Sequence, residues 1–207
     1  MGAMTKYTPT SPQALVALVA ERCLAVDGVV VAAIDAPEAA HPISFAGAVQ
    51  SFLRERGRPC AVVSLHDFVR PASLRFEYGR DNELSYRTLW FDYEALRREV
   101  VQSIRVDRRW LPRLWDEDED RSARCPQELA AGEQVILVTG PMLLGRDFGF
   151  DVTVQLHLSE GALRRHTPPS RQWTIAALLC HNAEITETPN LLVRYDHPAK
   201  PAVRDLP

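Results

Sequence analysis

The chain has 207 residues, 46% of them hydrophobic, and a formal net charge of −3. Such a length and composition suit one globular domain with a full core, and the charge gives no electrostatic case for nucleic acid or an anionic membrane. No run approaches the roughly 20 apolar residues of a membrane span, and the first residues lack the apolar centre of a signal peptide. The four cysteines (Cys23, Cys60, Cys125, Cys180) are scattered without a CxxC pair. They fit reduced thiols better than a disulfide frame or a zinc site, so a cytoplasmic location is expected.

In chain order, residues 1–10 read as a loose tail. Ser11-Pro12 makes a good helix start, a capping hydroxyl followed by proline at the first helical position. Leu15, Leu18, Val19 and Cys23 form its inward stripe, and Gly28 ends the segment. The stretch Val29 to Ala46, VVVAAIDAPEAAHPISFA, organises the rest. It reads as a buried strand with no charge before Asp35, a tight turn, and a helix with apolar positions at Phe45, Val49, Phe52 and Leu53. A strand, a turn and a helix N-terminus form the frame in which α/β proteins hold a phosphate. The chemistry of that frame is GxxxxGK[ST]. Here the corresponding positions hold Ala36, His41, Pro42 and Ile43.

A second apolar strand runs from Cys60 to Leu65 and ends at His66-Asp67. Residues 70–92 are rich in arginine and aromatic rings, and helix periodicity returns from Tyr93 through Leu96, Val100 and Ile104. Residues 107–133 form an irregular insertion holding Trp110, Trp115 and the acid run Asp116 to Asp120. A solvated loop is the expected reading of that run, ahead of a metal site. Further strands are expected at Gln134–Thr139, Val152–Leu158 and Asn190–Tyr195, with a helix around Trp173–Cys180 and a short tail at 204–207. Alternating strands and helices argue for an α/β sandwich on a mainly parallel sheet.

Four segments carry a resemblance: VVVAAIDAPEAA, VVSLHDFVRP, GRDNELSYRTLWFDYEALRREV and ILVTGPMLL. In this order and spacing the chain resembles the uridine kinase branch of the P-loop nucleoside kinases, with its phosphoribulokinase relatives, over roughly Leu15 to Val203. The resemblance implies a three-layer P-loop NTPase-like sandwich and a single kinase-like domain over residues 11–203.

The resemblance also shows where the chain departs from the family. The family's phosphate loop ends in Gly-Lys-Ser/Thr, where this chain has His41, Pro42 and Ile43, with Ser44 supplying a hydroxyl one residue late. Ala36, Glu38, His41, Pro42 and Ser44 are therefore the candidate remnants of the loop. The family's catalytic aspartate falls at His66, beside Asp67, and the acidic residue after the third strand falls at Thr139. On the acceptor side, Asp81 matches the sugar-binding aspartate, and Arg80, Tyr86, Arg87 and Trp115 are further candidate ligand contacts. Asp92 matches a structural acid or simply caps the next helix.

Three functional readings follow. The first is a kinase relative that has lost ATP-dependent transfer, with ATP and magnesium bound weakly or not at all and no cofactor expected, and that binds a nucleoside-like small molecule or acts in regulation. The second is an active enzyme rebuilt around His66 and Asp67, with His41 and His66 as candidate ligands of a transition metal. The third is a structural subunit in a homo- or hetero-oligomer, pairing with an active paralogue through Trp90, Phe91 and Trp173.

Overall fold

The computed structural model describes residues 6–206. Its centre is a seven-stranded sheet, and the apolar runs of the sequence form its buried strands. Strand β1 is Thr8–Pro9, β2 Val30–Asp35, β3 Cys60–Ser64, β4 Val135–Gly140, β5 Val152–His157, β6 Leu191–Arg194 and β7 Ala202–Asp205. The order across the sheet is β1-β7-β6-β5-β2-β4-β3. Strands β6, β5, β2, β4 and β3 are parallel, and β7 and β1 add antiparallel at one edge.

Every residue of β2 and β4 is buried. A continuous apolar run is what a strand covered on both faces requires. The organising strand is thus central, with Val30 opposite Val135 on one side and Ala32 opposite Val152 on the other.

Helices flank this sheet in a three-layer α/β arrangement. Helix α1 is Pro12–Leu24, and Ser11 caps it by accepting from the Ala14 N–H at 3.1 Å. Helix α2 is Pro42–Glu55, with Phe45, Val49 and Leu53 facing inward. Helix α3 is Glu83–Thr88, and α4 covers 93–106 with a π-helical middle at Arg97–Gln102. Asp92 caps α4 by accepting from the Ala95 N–H at 2.9 Å, the capping role its position suggested. Leu96, Val100 and Ile104 are fully buried. Helices α5 (Glu160–His166) and α6 (Thr174–Glu184) complete the set.

Three expectations change at the periphery. Residues 8–10 are not loose: Thr8 and Pro9 pair with Val203 and Ala202, and the Thr10 N–H donates to the Pro201 carbonyl. Residues 1–5 of the expected tail lie outside the described residues. The tail expected from 204 still belongs to β7 as far as Asp205. Strands this short carry too few residues to show an alternation, and flanking prolines at Pro201 and Pro207 read as coil.

The 107–133 insertion contains two antiparallel ribbons, Arg109–Trp110 with Glu128–Leu129 and Trp115–Asp116 with Arg121–Ser122. No helix among the described residues is long and apolar enough to cross a membrane.

Candidate functional site

Strands β2, β3 and β4 end side by side, and a cavity of about 280 Å³ opens at their C-terminal ends. Crevices at the carboxyl ends of parallel strands are where open α/β sheets bind ligands. Glu38, His41, Pro42, Ser44, His66 and Thr139 contribute to its lining.

The loop between β2 and α2 is folded on itself. Glu38–Ala40 is a single 3-10 turn, in which the Ala40 N–H donates to the Pro37 carbonyl and the His41 N–H to the Glu38 carbonyl, both at 2.9 Å. The Ala36 N–H donates to the Gly140 carbonyl. Pro37 and Pro42 have no N–H. His41 takes the left-handed conformation, φ 50° and ψ 54°, and turns the chain into α2 without a side-chain cap.

His66 stands on the 3-10 turn Leu65–Phe68 that follows β3, and its own N–H is held by the Ser64 hydroxyl at 3.2 Å. Its ring is clamped between two carboxylates. Nε2 lies 2.6 Å from Glu38 Oε1, and Nδ1 lies 2.9 Å from Glu117 Oε2. The ring also meets Phe91 edge-on at 5.2 Å between centroids.

Burial alone would lower the His66 pKa, but the bonds to Glu117 and Glu38 outweigh it and push it up to about 10. Burial alone would raise Glu38, yet the His66 hydrogen bond and charge, helped by Tyr86, bring it down to about 2. The imidazole is therefore an imidazolium between two carboxylates at neutral pH.

The clamp extends outward. Tyr86 donates its hydroxyl to Glu38 Oε1 at 2.9 Å. Glu117 Oε1 accepts from Arg75 Nη1 at 2.9 Å and from Trp90 Nε1 at 3.0 Å. Arg75 reaches on to Asp120 at 3.0 Å, which also accepts from Trp115 Nε1. Burial pushes the Asp35 carboxyl at the end of β2 up to about 7, against weak hydrogen bonds from the Leu143 and Leu144 N–H groups.

Several solved structures share this architecture. A candidate uridine kinase from Bacillus stearothermophilus superposes with a TM-score of 0.64 at 19% identity, over 81% of this chain and 88% of that one. A candidate fructose transport system kinase from Silicibacter sp. TM1040 gives 0.62 at 17% identity, over 88% and 98%. A D-glycerate 3-kinase from Cryptococcus neoformans gives 0.51 at 16%, over 91% and 82%. The chain has the P-loop kinase fold. At the level of sequence, no protein family and no curated protein matches it.

Within the P-loop kinase fold, the residues singled out in the sequence separate into two groups. Glu38, His41, Pro42, Ser44 and His66 converge on the cavity, with Ala36 buried beneath the loop. The acceptor-side set does not converge there. Asp81 and Arg80 are exposed, and Asp81 makes no ion pair among the described residues. Asp81, the match to the family's sugar-binding aspartate, lies instead in the polar turn before α3, away from the cavity and open to solvent.

Tyr86 is fully buried, so it braces Glu38 rather than offering a ring face to a ligand. Arg87 pairs with Glu184 on α6 at 2.8 Å and also contacts Cys180. Trp115 is tied to Asp120, and Asp67 faces Arg113 at 2.9 Å, so neither lines the cavity. His41 and His66 do share it, but both ring nitrogens of His66 are committed to carboxylates. Among the described residues no group of three or more metal-type ligands is assembled.

Trp90 and Phe91 are buried, packed with Tyr86 and Trp173 in one aromatic cluster. Trp90 and Phe91 are thus core residues, and Trp173 at the edge of the cluster is half-buried. The acid run is also not free of partners, because Glu117 and the exposed Asp120 both pair with the buried Arg75.

Glu117, Arg75 and Ser64 also belong to the site; Glu117 lies in the acid run and Arg75 in the arginine-rich stretch, but nothing in the sequence pairs them. Arg75 and Glu117 are 42 positions apart, and only the fold joins them. An Asp81→Ala variant should keep its stability within about 0.5 kcal/mol of the native protein, the usual range for an exposed substitution. Urea denaturation checks this, and a loss of several kcal/mol would place a partner on that carboxylate.

Proposed function

We propose that this protein keeps the P-loop kinase fold without ATP-dependent phosphoryl transfer, and uses the cavity at the ends of β2, β3 and β4 to bind a small ligand. The observation that carries this reading is the Glu38 carboxylate, held within the loop by His66 at 2.6 Å and Tyr86 at 2.9 Å. It places negative charge where a phosphate would need donors.

The loop itself supports the same reading. Two of its N–H groups are spent inside the 3-10 turn, and two positions are proline. The chain's two lysines, Lys6 and Lys200, are absent from the lining. The residues present do not fit a nucleotide triphosphate or its magnesium ion.

Charge-assisted hydrogen bonds to phosphate contribute roughly 1.5–3 kcal/mol each. Losing two or three of them weakens binding by about two to six powers of ten. Calorimetry with ATP and magnesium should therefore show no binding in the micromolar range. A low-micromolar affinity would overturn the proposal.

A second reading rests on His66. Its protonated ring lies between Glu117 and Glu38 at the cavity wall, and the Nε2–Glu38 pair at 2.6 Å is the proton-sharing couple a rebuilt reaction would use. Turnover that needs His66 but not ATP would favour it over simple binding. The exposure of Asp81 removes the support for a nucleoside-like ligand held by that residue.

A further inference from the structure

We propose that Asp35 is a proton-operated latch: its protonated carboxyl keeps the loop 141–145 seated against the end of β2, and its ionisation loosens that loop. Pro141 of this loop lines the site cavity, so the device acts on a wall of the cavity whatever the ligand.

Asp35 is a buried carboxyl without a cation. It ends β2 at 4% exposure and forms no ion pair among the described residues. Its two hydrogen bonds, from the Leu143 and Leu144 N–H groups, are both 3.4 Å long. Glu38, three residues on, gives the contrast, because His66 and Tyr86 hold it ionised from 2.6 and 2.9 Å. A carboxyl that has lost its water and gained no cation favours the neutral form. Burial raises the Asp35 pKa to about 7 for this reason.

Its surroundings supply nothing that reverses this. A closed pocket of about 10 Å³ lies beside Asp35, between Pro141 and Met142, Gln155 and His157 at the end of β5, and Asn182 on α6. That space holds no more than about one water. Glu187 accepts from the Gly145 N–H at 2.6 Å, and its negative charge opposes ionisation of Asp35. From α4, Tyr93 faces Asp35 as a neutral phenol, with the Arg146 guanidinium stacked 4.1 Å from the centre of its ring. Burial holds His157 on β5 and His181 on α6 below the usual histidine range, so both are neutral at pH 7.

The loop is fastened by side chains. Asp35 takes two of its N–H groups and Glu187 a third, and His181 Nε2 donates to the Leu144 carbonyl at 3.0 Å. Met142 and Gly145 take positive φ, 56° and 76°, and the loop has no strand or helix of its own. Closure of the loop raises the affinity of Asp35 for a proton, so by linkage loss of that proton favours opening. Below the folded pKa the loop is held. Above it, the N–H groups part from the carboxylate and water enters the closed pocket.

Amide hydrogen exchange on the full chain, corrected for its intrinsic pH dependence, reads this at Leu143 and Leu144. Their protection should fall about tenfold between about pH 6 and about pH 8, the ratio for one group that titrates near 7 only in the closed loop. Over the same range the core amides of β2 should exchange far more slowly than these two, marking a local opening. Asp35→Asn should abolish the fall, and His181→Gln should keep it. Infrared spectroscopy of the unsubstituted protein should show a protonated buried carboxyl at about pH 5.5 that is lost by about pH 8.5 and is absent from Asp35→Asn. A fall that persists in Asp35→Asn, or that vanishes in His181→Gln, overturns the proposal. So does a carboxyl already ionised at the lower pH, or loop amides that exchange only when the whole chain unfolds.

Discussion

Replacing Gly140 with alanine should lower the stability of the protein by about 3–5 kcal/mol, the sum of a backbone strain and a core overlap. Gly140 ends β4 with φ +152°, a region that side-chain-bearing residues rarely enter. A Cβ built there lies 2.6 Å from Leu65 Cβ and 3.3 Å from its Cδ2. Leu65 Cβ is anchored directly to its backbone and the residue is fully buried, so rotation of the side chain cannot relieve the contact.

Either β4 or the turn Leu65–Phe68 has to move, and that turn carries His66. The damage should therefore reach the carboxylate clamp as well as the core. For a chain of this size the loss corresponds to a fall in Tm of roughly 6–20 °C. Gly57→Ala is the useful control, since Gly57 also has positive φ but nothing lies within 4 Å of its Cβ position. It should cost only the backbone strain, about 1 kcal/mol. Equal losses in the two variants would show that the contact with Leu65 is not the cause.

His66→Leu is the second substitution with a large expected effect. It removes the one cation between Glu38 and Glu117 and leaves two carboxylates facing each other across an apolar side chain. Breaking a buried ion pair from one side costs about 3–5 kcal/mol. The side chains of Glu38 and Glu117 keep 40% and 24% of their exposure, so water screens part of the loss and about 2–4 kcal/mol is expected at neutral pH.

The dependence on pH identifies the mechanism. The His66 pKa rises on folding from 6.5 to about 10, so its stabilisation is full below pH 6.5 and is lost as pH climbs through about 10. The Glu38 pKa falls from 4.5 to about 2, so its stabilisation is full above pH 4.5 and is lost as pH drops through about 2. The clamp therefore contributes most between about pH 4.5 and 6.5. Urea denaturation across pH should show the gap between wild type and His66→Leu widest in that window and narrowing on both sides. A gap that does not change with pH would mean that His66 acts only by filling space.

Before any fold is known, local chemistry already points to the centre of the molecule. The run Val30–Asp35 has no polar residue before its last position, and only a strand covered on both faces buries such a run. Ser11 before Pro12, and Asp92 before Tyr93, are capping positions that depend on a hydroxyl or carboxylate within three residues of the N–H it satisfies. The turn at 36–43 is equally local, and its departure from GxxxxGK[ST] is a property of eight consecutive residues.

What those residues do instead is a tertiary matter. Glu38 reads as one more polar turn residue until β2 and β3 come within a strand of each other, with β4 between them, and His66 reaches it across 28 positions. Tyr86 and Trp90 look like open ring faces in the sequence, and their burial is decided by the packing of α3 against α6 and by Trp173. Asp81 looks like a site residue by its match to a motif, but nothing local determines which way the turn before α3 faces. Charges and hydroxyls acquire partners only when distant segments meet. The sequence alone therefore determines strands, caps and the residues of the 36–43 turn, whereas the clamp on His66 and the unpaired hydroxyl of Thr139 exist only in the folded chain.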